Sequence, residues 1–325
     1  MVKKLLVVSF LVLATASLFA QAKFPWVAKT TDDPDKMLPG VDPAKVTGTI
    51  VTAGSSTVYP VSEYIAEIFK EDGFTGQVSI DSIGSGAGFE RFAKTGETDI
   101  SNASAPMPAS SYEAAKAIGR YPIEFRLGTD ALAVVVSKKN TFARDITQKE
   151  LAALLSTAVN WSDVRPSWPK MPVKRYIPGT DSGTFSYMAE HLFKKKAEPM
   201  LSASNVQLSE DDNVLVRGVE ADQYAIGFFG FAYYLENKAK LNVLKIDGVE
   251  ANAANVDAGK YPLARPLFLY SDAKIINEKP QVAAFLTYYL SNVDEALEAV
   301  GYFPAPEAEI KAAKRKLLDA MKGRY

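Results

Sequence analysis

Hydroxyl residues and glycines gather in three short runs, Gly54-Ser55-Ser56-Thr57, Gly84-Ser85-Gly86-Ala87-Gly88 and Asp181-Ser182-Gly183-Thr184. The chemistry that such runs support is anion binding. The first four N–H groups of a helix have no intrahelical partner and carry the positive end of the peptide dipoles, so a helix opened by Gly, Ser and Thr presents converging donors. Taken singly, each run is ordinary turn and capping chemistry. Three runs with the same strand, loop, helix order point to a cage around one small oxyanion.

Other site chemistries find little support. The segment Gly84 to Gly88 lacks the spacing of a dinucleotide fingerprint, and residues 103–108, Ala-Ser-Ala-Pro-Met-Pro, offer no acid to hold a ribose. Ser182 within Gly-Thr-Asp-Ser-Gly invites a hydrolase reading, but the single histidine, His191, lies nine residues further along the same expected helix. That is a rise of about 13.5 Å, against the roughly 3 Å that a Ser–His hydrogen bond requires. With no cysteine and one histidine, a catalytic zinc or Cys/His site has no ligands, and no cofactor or metal is expected.

Strands must end at these loops and helices must start from them. Val46 to Ala53 alternates like a strand, and Val61, Tyr64, Ile65, Ile68 and Phe69 repeat at helical spacing. Gln77 to Ile83 reads as a strand before the second loop, with a helix from Phe89 to Lys94 after it, and Asp99 to Pro106 as a short strand with a polar turn. Ala131 to Ser137 is an apolar strand, followed by a helix marked by the capping box Thr147-x-x-Glu150. Lys174 to Ile177 is a strand leading to the third loop, and Phe185, Met188, Ala189, Leu192 and Phe193 form one apolar helix face. Tyr224 to Tyr234 reads as a buried strand and turn, Pro266 to Tyr270 as a strand, and 281–290 and 307–321 as helices. This alternation predicts an α/β protein whose mainly parallel sheets bind ligand beyond the carboxyl ends of their strands. The chain is expected to cross between lobes near residue 130 and to return near residue 265.

At 325 residues the chain exceeds one ordinary domain, and 47% hydrophobic content suffices for a sizeable core. Lys3-Lys4, an apolar run from Leu5 to Phe19 and Ala20-Gln21-Ala22 match a signal peptide cleaved near Ala22, which places the mature protein in the periplasm. Loss of residues 1–22 leaves 35 basic against 38 acidic residues, so no basic field recommends nucleic acid or an anionic membrane as partner. Without cysteine there is neither a disulfide nor an acylated lipoprotein anchor, and a free protein is expected. The leader 23–47, with Asp32-Asp33-Pro34-Asp35 and Pro39-Gly40, reads as an extended arm.

Six ordered segments carry a family resemblance: 54–60 (Gly-Ser-Ser-Thr-Val-Tyr-Pro), 83–89 (Ile-Gly-Ser-Gly-Ala-Gly-Phe), 98–104 (Thr-Asp-Ile-Ser-Asn-Ala-Ser), 160–163 (Asn-Trp-Ser-Asp), 179–184 (Gly-Thr-Asp-Ser-Gly-Thr) and 226–230 (Ile-Gly-Phe-Phe-Gly). Together they resemble the phosphate-binding proteins of bacterial phosphate ABC transporters, over roughly residues 48–290. The resemblance implies a two-lobe periplasmic-binding-protein fold of type II, with lobe 1 over 48–130 and 265–325, lobe 2 inserted over 131–264, and a two-strand hinge. It implies a monomeric receptor that closes on one phosphate ion and delivers it to permease subunits in the inner membrane.

Residue by residue, the family's ligands fall on Ser56, Thr57, Ser85, Ser104, Ser182, Gly183 and Thr184. Two departures stand out: one branch has Asp where this chain has Ser104 and Arg where it has Pro178, and another has Arg where Ala105 stands. Arg91, Arg126 and Arg175 are candidate replacements for the missing cation. Phosphate carries a proton near neutral pH and sulfate does not, so a carboxylate acceptor would select phosphate. Asp181 is assigned either that role or the cap of the following helix. A receptor for sulfate, molybdate or a phosphonate is the neighbouring alternative, and a secreted phosphatase the alternative of another class.

Overall fold

The computed structural model describes residues 24–27, 37–180 and 182–325. The expected signal peptide and Asp181 lie outside the described residues. After a 3-10 turn at Pro43–Lys45 come β1 (Thr49–Gly54), α1 (Tyr59–Glu71), β2 (Gln77–Ser82), α2 (Ser85–Ala93), β3 (Ile100–Ala103) and α3 (Ala109–Ala117). The long strand β4 (Pro122–Ser137) leads to α4 (Gln148–Leu155), β5 (Lys174–Pro178), α5 (Gly183–Phe193), β6 (Val206–Ser209), α6 (Asp212–Ala221), β7 (Ala225–Gly230) and β8 (Leu241–Val243). Then β9 (Ala264–Asp272) leads to α7 (Pro280–Ser291), β10 (Phe303–Pro304) and α8 (Glu307–Met321).

These elements form two compact units. The first holds the described residues up to Leu127 with Phe268–Ala296 and Glu307–Tyr325; the second holds Gly128–Leu267 with Leu297–Pro306. Both β4 and β9 run across a boundary. Sequence reading assigned all of 265–325 to the first lobe, whereas residues 297–306 pack with the second unit. The cause is local: Phe303 and Pro304 pair with Thr129 and Gly128 of β4, and the Phe303 ring lies 5.2 Å from that of Phe231.

In the first unit β1 is flanked by β2 and β3, both parallel to it, and β9 pairs antiparallel with β3 and lies between it and β4. Helical crossovers between consecutive strands dictate the parallel pairs. Pro60 sits in the first turn of α1, where its missing N–H costs nothing, and Val61, Ile65, Ala66 and Phe69 turn one face inward. Phe69 meets the rings of Phe74, Tyr288 and Phe285 at 4.7, 5.1 and 5.4 Å. Truncating such a buried ring to Ala costs about 3–5 kcal/mol. Within the leader Phe24, Trp26 and Val27 are buried and Val27 bridges Val41, while residues 23 and 28–36 of the expected arm lie outside the described residues.

In the second unit β5 lies parallel to β6 and β7, while β4 pairs antiparallel with β7 and β8. The expected capping box forms at α4: the Thr147 hydroxyl accepts from the Glu150 N–H, and the Glu150 carboxylate accepts from the Thr147 N–H. The guanidinium of Arg165 grips that carboxylate at 2.6 and 2.7 Å, which with the Thr147 bonds holds its pKa down at about 2. Trp161 and Trp168 pack ring against ring at 5.4 Å within the core.

Three elements depart from the sequence reading, the first being the helix expected from Phe89, which starts already at Ser85 and takes in most of the Gly84–Gly88 loop. The strand expected at Ala131 begins at Pro122, because Ile123, Phe125 and Leu127 already alternate inward. The strand and turn expected over 224–234 is a strand to Gly230 followed by a helix from Phe231 to Asn237. Among the described residues no helix is long and apolar enough to cross a membrane.

Candidate anion-binding site

The carboxyl ends of the parallel strands share an edge in each unit, and the hydroxyl-rich loops leave from there. In the first unit Gly54 ends β1 in register with Ser82 of β2 and Asn102 of β3. The Gly54 carbonyl accepts from the N–H groups of Ile83 and Gly84 at 2.9 and 2.7 Å, and the Asn102 carbonyl accepts from the Ser55 N–H at 2.9 Å. One backbone position thereby ties three loops together. Gly54 has φ +145°, and a Cβ there would overlap the Asn102 carbonyl oxygen, so this knot requires glycine.

Of the expected ligands in this unit, Ser85 and Ser104 are brought into contact. Their hydroxyls lie 3.2 Å apart, and Ser85 Oγ accepts the Ser104 N–H at 3.0 Å. Ser85 is the first residue of α2, whose first intrahelical bond comes only at Gly88 N–H to Gly84 O. Ser56 and Thr57 lie in the turn before α1; the Thr57 N–H donates to Ser55 Oγ at 3.2 Å. Thr57 is fully buried, and its hydroxyl has no partner among the described residues. A buried hydroxyl in that state costs about 1–3 kcal/mol, which marks it for a partner outside the chain or for a functional role.

In the second unit Ser182 caps α5, its Oγ accepting from the Thr184 N–H at 3.2 Å. Capping of this helix falls to Ser182. Gly183 and Thr184 form the first turn, half-buried. The end of β5 carries Pro178 beside Ser209 of β6, and the Gly179 N–H donates to the Ser209 carbonyl at 3.0 Å. Beyond Ser209 comes an acidic run; Asp212 is pushed up to about 6 by burial and by the charges of Asp211 and Glu210.

None of the three arginines offered as replacements stands at these loops as a spare cation. Arg91 is paired with Asp81 and Glu97, and Arg126 with Glu309. Arg175 is buried and caps backbone carbonyls, among them those of Leu154 and Ser204 at 2.6 and 2.5 Å; burial alone lowers its pKa to about 10. The residue that reasoning from sequence missed is Arg265. Its Nη2 lies 3.5 Å from the Gly183 carbonyl, its guanidinium stacks 3.8 Å over the Tyr187 ring, and its Nε donates to Asp130 Oδ2 at 3.2 Å. The signal was present: Asp130 opens the apolar run of β4 and Arg265 stands in apolar β9, and charges in such strands need each other.

Comparison with known proteins shows the family and the fold. A family model described as the PBP superfamily domain matches residues 40–293. Protein SphX of Synechococcus elongatus is 40% identical over 279 residues, covering 82% of this chain and 81% of its own. The phosphate-binding protein PstS of Staphylococcus saprophyticus is 31% identical over 287 residues, covering 86% and 87%. A crystal structure titled as that of "a possible phosphate binding protein" from Planctomyces limnophilus superposes with a TM-score of 0.80 at 35% identity, covering 85% of this chain and 99% of that one. The chain belongs to the PBP superfamily, with the two-lobe periplasmic-binding-protein fold, in the family that includes SphX and PstS.

Proposed function

We propose that the protein is an extracytoplasmic receptor that binds inorganic phosphate and delivers it to the permease of an ABC transporter. It is a transport receptor and not an enzyme, as its family is. The observation that carries the reading is the buried Thr57 hydroxyl without a partner, at the loop edge where Ser85 and Ser104 also meet. In this reading Ser56, Thr57, Ser85 and Ser104 serve from one lobe, and Asp181, Ser182, Gly183 and Thr184 from the other. The lobes follow the two compact units, residues 297–306 going with the inserted lobe, and close about a two-strand hinge. The mature chain is a monomer that starts after cleavage near Ala22.

Hydrogen bonds to a charged group contribute about 1.5–3 kcal/mol each, so a handful reaches the roughly −8 kcal/mol of micromolar binding. Selection of phosphate needs an acceptor for its proton, which falls to Asp181 where a branch of the family uses an acid at the position of Ser104. That substitution is the observation favouring the second reading, a receptor for sulfate, molybdate or a phosphonate.

Titration calorimetry of the protein without residues 1–22 decides between them. Phosphate is expected to bind one per chain and sulfate to bind at least about a hundredfold more weakly, near 3 kcal/mol of discrimination. Equal affinity for sulfate or molybdate would replace the assignment. An Asp181→Asn variant with unchanged preference would remove Asp181 from the site.

A further inference from the structure

Among the described residues of the second unit is an ion pair that is buried on both sides. Arg265 and Asp130 have side chains only 9% and 1% exposed. The pair is directional. The Nε edge of the guanidinium faces the carboxylate, while Nη2 reaches Gly183, the first residue of α5. Tyr187 lies under the guanidinium, and Glu190 Oε2 is 4.0 Å from Nη1, so the cation lies along one face of α5 from its first turn onward. Asp130 Oδ1 has no hydrogen-bond partner among the described residues.

A cation beside the start of a helix works against the peptide dipoles. Burial on top of that makes the position costly, and a strut between two strands would be served as well by an apolar pair. The arrangement becomes favourable once an anion sits at the Ser182 loop, because a buried charge is screened little and acts over a turn of helix. Pro178, which begins the same loop from the other side, cannot supply charge.

We propose that Arg265 supplies the positive charge for the anion held at the start of α5, acting through space from beneath the loop, with Asp130 as the counter-charge that holds it there and attenuates it. This inference rests on the receptor reading above. A purely structural strut predicts a different sign for the Asp130 variant, and the test turns on that sign.

Phosphate binding is measured by calorimetry at low and high ionic strength for the wild type, Arg265→Gln, Arg265→Lys and Asp130→Asn. Arg265→Gln is expected to weaken binding about tenfold and to flatten its dependence on salt. Arg265→Lys should stay within about threefold, and Asp130→Asn should tighten binding about threefold or more while lowering the melting temperature. A folded Arg265→Gln with the affinity and salt slope of the wild type would overturn the inference alone. If Arg265→Gln does not fold, Asp130→Asn decides: tighter binding supports the inference, and unchanged or weaker binding overturns it. A wild type that binds none of phosphate, sulfate or molybdate would overturn the receptor reading together with this one.

Discussion

The loop that opens α2 in the first unit and the loop that opens α5 in the second share a strand, loop, helix plan and differ in where charge sits. At α2 the described partners are neutral: Ser85, Ser104 and the backbone knot at Gly54. At α5 a buried Arg265–Asp130 pair lies against the first turn. A neutral loop depends on the number and aim of its donors, so its rigidity matters most. A charged loop tolerates looser geometry but must hold a costly buried cation. If both loops hold the anion as proposed, one half depends on backbone packing and the other on electrostatics.

The largest effect that separates them is expected from Asp130→Ala, which leaves Arg265 buried without a counter-charge. It should cost about 3–5 kcal/mol of stability by chemical denaturation, and phosphate should recover part of that loss. Equal destabilisation with and without phosphate would remove the charge from the comparison. Gly54→Ala is the matching injury to the neutral half. A side chain there meets the Asn102 carbonyl at φ +145°, and about 3 kcal/mol or more should be lost. Circular dichroism melting that leaves Gly54→Ala at the wild-type midpoint would show that the knot is not rigid.

Smaller effects sharpen the contrast. Thr57→Val replaces the buried unpartnered hydroxyl with a methyl group and should stabilise the ligand-free protein by about 1 kcal/mol while weakening phosphate binding roughly tenfold. Loss of both properties together would mean that Thr57 is merely structural. Asp212→Asn probes the acidic run beside the charged loop. Its carboxyl has a pKa raised to about 6 in the folded protein, so the folded state favours the protonated form, and stability falls as pH rises from about 4 through 6. The substitution should gain about 1–2 kcal/mol at pH 7.5, discounted for partial exposure, and nothing below pH 4. A gain that does not change with pH would point to a cause other than this titration.

Much of this was legible from local patterns. The capping box at Thr147, the strand before each loop and the apolar face of α5 follow from spacing alone, because neighbours in sequence make those contacts. The first part of β4 was legible but missed, since Ile123-Glu124-Phe125-Arg126-Leu127 alternates apolar and charged residues as a half-buried strand does. The place of Phe303 was not legible, since its pairing with Thr129, far along the chain, draws residues 297–306 into the second unit.

Sequence by itself determined the chemistry of the loops: hydroxyls and glycines at helix starts, no thiol, a lone histidine and no cation at position 178. These are properties of single residues and their near neighbours. Only the tertiary structure decided which serines touch, that the arginines at 91, 126 and 175 are engaged elsewhere, and that Arg265 meets Asp130 beside α5. The physical reason is distance along the chain: Arg265 and Asp130 are separated by 135 residues, and an ion pair of that reach is specified by the register of two strands and not by any motif.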